Sequence, residues 1–167
     1  IPVSERKIVT QTDLSLLVKN VRDTTLAIKK QAEAVGGFMV NSSATFPEGG
    51  ATGFISIRVP SAKLDAFLES VRNLAVRVVS ENISGSDVTD QYKDIDSRLT
   101  ILANSKATFE DIMRRASTVD EILRVQQSIF QVQDQIDALK GQKKYLEDTT
   151  ATSLVSVNLA TDELALP

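Results

Sequence analysis

Residues 88–146 carry a repeat that few folds can absorb. Tyr92, Ile95, Leu99, Leu102, Lys106, Phe109 and Met113 fall at alternating three- and four-residue steps. Ile122, Val125, Ile129, Val132, Ile136, Leu139, Lys143 and Leu146 do the same. An average spacing of 3.5 residues keeps one stripe facing a neighbouring helix along its whole length. The stretch therefore predicts two long helices folded back on each other as an antiparallel coiled-coil hairpin. Thr118-Val119-Asp120-Glu121 reads as a capping box, which sets the tip near Ala116 and Ser117. Each arm of about 25–30 residues would reach about 40 Å at 1.5 Å per residue. A domain of this size cannot bury that length, so the hairpin is expected to project or to pack along another chain.

The charges fit an antiparallel pair. Asp87, Asp90, Asp94 and Asp96 open the first arm, and Lys140, Lys143 and Lys144 close the second at the same end. Acid at a helix N-terminus and base at a C-terminus also suit the helix dipole. Lys106 and Lys143 sit in the seam itself, where they are expected to snorkel and soften the packing. Arg114, Arg115 and Arg124 make the tip mildly basic and are the candidate partner-binding residues. The plainer reading of Arg114 and Arg115 is a solvated helix end that favours cations.

The rest of the chain reads as a small sheet domain. Residues 7–19 alternate, with Ile8, Thr10, Thr12, Leu14, Leu16 and Val18 on one face of a strand. Asn20 caps a helix striped by Val21, Thr25, Ile28, Ala32 and Val35, and Gly36-Gly37 stops it. Residues 38–46 form a second strand. The turn Pro47-Glu48-Gly49-Gly50 returns the chain antiparallel through a third strand at 52–59. Ser61 is the expected N-cap of a helix buried through Leu64, Phe67, Leu68, Val71 and Leu74, and residues 76–83 form a fourth strand. This β-α-β-β-α-β order predicts a ferredoxin-like α+β fold, an antiparallel sheet with two helices on one face. After the hairpin, Val155, Val157 and Leu159 mark a fifth strand, expected antiparallel, beside the fourth or on an edge. The expected domains are 1–87 with 150–161 as the sandwich, 88–148 as the hairpin, and 162–167 as a tail.

Composition narrows the chemistry. With no Cys and no His, a Cys–His pair, a Ser–His–Asp triad and an ordinary zinc site are impossible. A net charge of −3 makes nucleic acid a poor partner. Asp90 and Asp94 share a helix face and could be read as a metal site. Two carboxylates supply too few oxygens for a hard cation, and Asp94 with Arg98 forms an i,i+4 ion pair instead. Gly36-Gly37 follows a helix and is no phosphate loop. Ser61 with Lys63 lacks an oxyanion hole. The reading is a chain without catalytic residues, metal or cofactor. No apolar run reaches the roughly 18–20 residues a membrane span needs. The abrupt opening at Ile1-Pro2-Val3 suggests a piece trimmed of flanking targeting segments.

These residues resemble the bacterial domain-of-unknown-function 4349 family. The likeness lies in Val35-Gly36-Gly37-Phe38, in Ile57-Arg58-Val59-Pro60, and above all in Asp87-Val88-Thr89-Asp90-Gln91-Tyr92-Lys93-Asp94-Ile95-Asp96-Ser97-Arg98-Leu99. It continues through Arg115-Ala116-Ser117-Thr118-Val119-Asp120-Glu121-Ile122-Leu123 and the last strand. The resemblance implies an extracytoplasmic, membrane-tethered envelope domain of lipoprotein or similar type, with no assigned enzymatic activity. Asp94 matches the family's characteristic acidic position. Asp87, Thr89, Asp94 and Arg98 are expected to form the structural base of the hairpin, with Asp94 locking it to the sheet domain. The function expected is a docking arm or lever for an envelope protein partner. Self-assembly through the hairpins is the alternative, and a carboxylate-based metal enzyme or carbohydrate-active enzyme stands behind both. No small-molecule substrate is expected.

Overall fold

The computed structural model describes residues 2, 5–46, 48 and 50–167. In chain order the elements are β1 (Ile8–Leu17), α1 (Val21–Ala34), β2 (Phe38–Thr45), β3 (Thr52–Pro60), α2 (Leu64–Leu74), β4 (Arg77–Asp87), α3 (Thr89–Arg115), α4 (Val119–Ala151) and β5 (Thr152–Ala160). The fold is α+β, with four helices and one five-stranded mixed sheet among the described residues. The chain divides into two compact units, Ile8–Ser86 with Thr149–Pro167, and Ile1–Lys7 with Asp87–Asp148.

The first unit holds the sheet, in the order β2-β3-β5-β1-β4. β5 is therefore central, parallel to β1 (Leu14 opposite Val157) and antiparallel to β3 (Ile55 opposite Val157). This corrects both the purely antiparallel sheet and the placement of the fifth strand at an edge or beside β4. It also separates β1 from β3, which a ferredoxin-like sheet would set side by side. The physical reason lies in burial. Val155, Val157, Leu159 and Ala160 are all but inaccessible, and an edge strand would leave one flank open to water.

α1 and α2 supply the other half of the core. Val21, Ile28 and Ala32 of α1 and Leu64, Phe67, Leu68 and Val71 of α2 pack with Leu14, Leu16, Ile55, Ile57, Val59, Val155 and Val157. α1 is capped as its sequence predicts, the Asp23 N–H donating to Asn20 Oδ1 at 3.0 Å. Its end is a Schellman turn. Gly36, at φ 86°, donates to Glu33 O at 3.1 Å, and Gly37 donates to Ala32 O at 2.8 Å. A Cβ on Gly37 would lie 2.5 Å from Arg58 O, so only glycine lets β2 leave the helix this close to β3.

Three local expectations change. Ser61 does not cap α2. It sits in a 3₁₀ turn (Ser61–Lys63), donates to Thr150 O at 2.9 Å and shares a hydrogen bond with Ser153 Oγ at 3.0 Å. β4 runs on to Asp87, past the apolar alternation that suggested an end near Ile83. Residues 162–167 fold onto the sheet unit. Thr161 Oγ1 accepts from Ala51 N at 3.0 Å, Glu163 pairs with Arg77, and Leu164 N donates to Asp162 Oδ1 at 3.0 Å. The turn predicted at Pro47-Glu48-Gly49-Gly50 includes Pro47 and Gly49, which lie outside the described residues.

The second unit is built on α3 and α4. They lie side by side in opposite directions, as the bonds between them show. Tyr92 OH donates to Glu147 at 2.8 Å, Lys143 meets Asp96 at 2.6 Å, and Lys106 donates to Gln133 at 2.8 Å. Residues 5–7, before β1, belong to this unit rather than to the sheet. Lys7 N donates to Thr89 Oγ1 at 2.9 Å, and Val88 N to Lys7 O at 2.8 Å.

Candidate functional site

The candidate site residues read from the sequence lie in the α3–α4 unit, towards its two ends. At one end Asp87 is an acceptor for the first turn of α3. It takes the Thr89 N–H at 3.0 Å and the Thr89 hydroxyl at 2.5 Å, and the Arg6 guanidinium at 2.6 Å. These donors, Thr89 first, hold its carboxyl down at about 2. Thr89 is buried, and its oxygen also accepts from Lys7 N. A single threonine thus joins the start of α3 to the chain segment before β1.

One turn on, Tyr92 lies between two ammonium groups, with Lys7 Nζ 5.0 Å and Lys143 Nζ 5.4 Å from its ring centroid. Its hydroxyl donates to Glu147, and that bond, with burial, raises the phenol above its ordinary range. The Asp96 carboxylate raises the Lys143 ammonium in turn. Asp94 and Arg98 form the predicted pair at 3.0 Å, within α3 and largely exposed. The acid that reaches α4 is Asp96, its neighbour but one. Among the described residues, no group of three or more acidic, His or Cys side chains is placed to hold a metal ion.

At the opposite end the capping box is present as read. Thr118 Oγ1 accepts from Glu121 N at 3.2 Å, and the Glu121 carboxylate accepts from Ser117 N at 3.1 Å and Thr118 N at 3.4 Å. Those backbone donors lower the Glu121 pKa. Arg114 and Arg115 are exposed and share one acid, Asp111, at 3.4 and 3.1 Å. Arg124 is exposed in the second turn of α4. Asp120 and Glu121, in the first turn of α4, bring further acid to the same end as these arginines.

Between the ends the seam is covered unevenly. Ile95, Val132, Ile136 and Leu146 are buried, whereas Leu99, Leu102, Phe109 and Met113 are half-buried and Ile122 is exposed. Two helices alone cannot surround a stripe. Each seam lysine finds a partner across the pair: Lys106 on Gln133 and Lys143 on Asp96. One flank carries a groove of about 410 Å³ lined by Arg98, Ile101, Leu102, Gln135, Ala138 and Leu139. Ile101, Ile112, Leu123 and Phe130 stand exposed on the two helices. Sequence reasoning missed Arg6 and Lys7 as members of this unit, since their partners lie more than 80 residues away. It also took Tyr92 for a seam residue only.

A family model described as "Domain of unknown function (DUF4349)" matches residues 6–165. The match spans nearly the whole chain, and the chain belongs to this family. No curated protein and no solved structure matches it.

Proposed function

We propose that this member of the family is a non-enzymatic interaction module of the cell envelope, in which the α3–α4 pair is the docking arm for a protein partner. The observation that carries the reading is the pair itself. Helices of 27 and 33 residues keep large apolar side chains exposed on their flanks and end in a capped tip that presents Arg114 and Arg115. Ile101 lines an apolar groove with Leu102, Ala138 and Leu139, and contiguous exposed apolar surface is the kind that marks interaction sites. The hydroxyl of Ser61, the nearest thing to a nucleophile by sequence, is engaged with Thr150 and Ser153.

The pair is read as a coiled coil, supported by the 3.5-residue repeat and by burial of Ile95, Val132, Ile136 and Leu146 on it. The sheet is read as a ferredoxin-like plan with β5 inserted between β1 and β3. An extracytoplasmic, membrane-anchored location goes with this function. No helix of the described residues is long and apolar enough to cross a membrane.

Photo-crosslinking in the native envelope tests the reading, with the probe at Arg115 and a control at Lys19. A discrete adduct from Arg115 alone supports the docking arm, and loss of that adduct on Arg114→Glu with Arg124→Glu assigns it to the tip arginines. Equal adducts from both positions, or none from either, overturn it.

A further inference from the structure

The two faces of the sheet are built differently. One is aliphatic: Leu14, Ile55, Ile57, Val155 and Val157 lie on it and pack with α1 and α2. The strand pairing fixes what stands on the other. Ser43 lies opposite Phe54, Phe54 opposite Asn158, and Asn158 opposite Ser15. On one side of that row Thr45 faces Thr52, and on the other Asn41, Ser56, Ser156 and Asp13 are aligned. A sheet with one face in water alternates apolar with polar residues, and that alone accounts for the hydroxyls. It does not account for two further features. The tail folds over part of this face, where Ala165, Leu166 and Pro167 join Ser43, Thr45, Thr52, Phe54 and Asn158 in lining a cavity of about 240 Å³. None of its eleven lining residues has a charged side chain, although 25% of the chain is charged. Asp13 and Arg58, on the same face, stand outside it. The polar groups inside are three hydroxyls and one carboxamide, which both donate and accept. Among the described residues, none of the side chains of Ser43, Thr45, Thr52 and Asn158 is hydrogen-bonded within the chain.

We propose that this cavity binds a neutral saccharide, with one uncharged sugar ring seated against Phe54 and hydrogen-bonded by Asn158 and the hydroxyls of Ser43, Thr45 and Thr52. The lining selects that chemistry. A charged ligand would lose water and find no opposite charge. A wholly apolar ligand would strip water from four polar side chains and replace none of their hydrogen bonds. A sugar ring meets both halves of the lining: its C–H face lies on the Phe54 ring and the apolar tail, and its hydroxyls give and take hydrogen bonds at the edge. Size narrows the choice further. A cavity of about 240 Å³ is smaller than the roughly 300 Å³ at which sites for drug-sized ligands begin, so it takes a single ring and not a nucleotide or larger cofactor. All the lining residues belong to the sheet unit, so the proposal stands or falls separately from the docking arm.

The test is an NMR titration of the full chain, labelled with nitrogen-15. The neutral probes are methyl glucoside, methyl mannoside, methyl galactoside and N-acetylglucosamine, and the charged ones are glucuronic acid and glucosamine. Saturable shifts of the Thr52, Phe54 and Asn158 amides are expected with at least one neutral probe and with neither charged one. Asn158→Ala is expected to weaken binding of that probe about tenfold, the worth of one or two neutral hydrogen bonds. Gln135→Ala on α4 is expected to leave it unchanged. No saturation with any neutral probe overturns the proposal. Shifts centred elsewhere, a charged probe that binds as well, or a folded Asn158→Ala chain that binds like the parent also overturn it. If Asn158→Ala does not fold by circular dichroism, Phe54→Leu, which keeps an apolar side chain and removes the ring, takes its place under the same expectation.

Discussion

Thr12 is the clearest misfit at the scale of single residues. It lies on the apolar face of β1 with Leu14 and Leu16, fully buried, and its hydroxyl has no hydrogen-bond partner among the described residues. A buried hydroxyl left unpaired costs about 1–3 kcal/mol. Thr12→Val keeps the branched shape and removes that cost, so it is expected to raise the denaturant midpoint by about 1 kcal/mol of stability. A destabilised variant would mean that the oxygen is satisfied in solution. Asp87 is the opposite case, an acid that accepts from three donors at once. Its folded pKa is depressed to about 2 from 3.8, so the stability it confers is complete above the ordinary value and lost as pH falls through about 2. Asp87→Asn is expected to melt below the parent at neutral pH, and the two melting temperatures should converge as the parent is acidified through that window. A gap that does not change with pH would assign the effect to geometry rather than charge.

The turn from α1 to β2 is the sharpest constraint among the elements. Gly36 needs glycine for its backbone angle, since φ is 86° and the nearest atom to a Cβ there is Pro60 Cγ at 3.8 Å. Gly37 needs it for space, with Arg58 O at 2.5 Å and Val59 Cγ1 at 2.9 Å. Gly36→Ala is therefore expected to cost about 1–2 kcal/mol, the penalty of a left-handed residue. Gly37→Ala is expected to cost more, roughly 2–3 kcal/mol, because backbone must move. Urea denaturation of the two variants ranks them, and the reverse order would show that β2 can shift away from β3. The helix pair is held differently. Its stability comes from a half-covered seam and from specific cross-links, Tyr92 with Glu147 and Asp96 with Lys143, concentrated at the end where α3 begins.

The central position of β5 makes the sheet of the whole molecule depend on its last strand. β5 joins β3 to β1 by backbone bonds on both sides, from Gln11 opposite Leu154 to Pro60 opposite Thr152. A chain lacking Thr149–Pro167 is thus expected to lose cooperative folding of the sheet unit, read as collapse of amide dispersion in its NMR spectrum. Retention of a dispersed four-stranded spectrum would contradict the central placement. The same arrangement means that the sheet cannot close until the chain has passed through both long helices, whose residues separate β4 from β5.

Periodicity, capping and turn chemistry are local properties, and what depends on them was legible in the sequence. The 3.5-residue repeat marked two long helices, Thr118 and Glu121 placed the break between them, Asn20 and Gly36-Gly37 bounded α1, and the alternation of Val155, Val157 and Leu159 marked β5. What a strand lies beside is not local. A strand of alternating apolar residues reads alike at the centre or the edge of a sheet, so only the tertiary structure decided that β5 separates β1 from β3. The partners of Thr89 and Asp87 were hidden for the same reason. Lys7 and Arg6 stand some 80 positions away, and only the pairing of distant segments brings them to the first turn of α3.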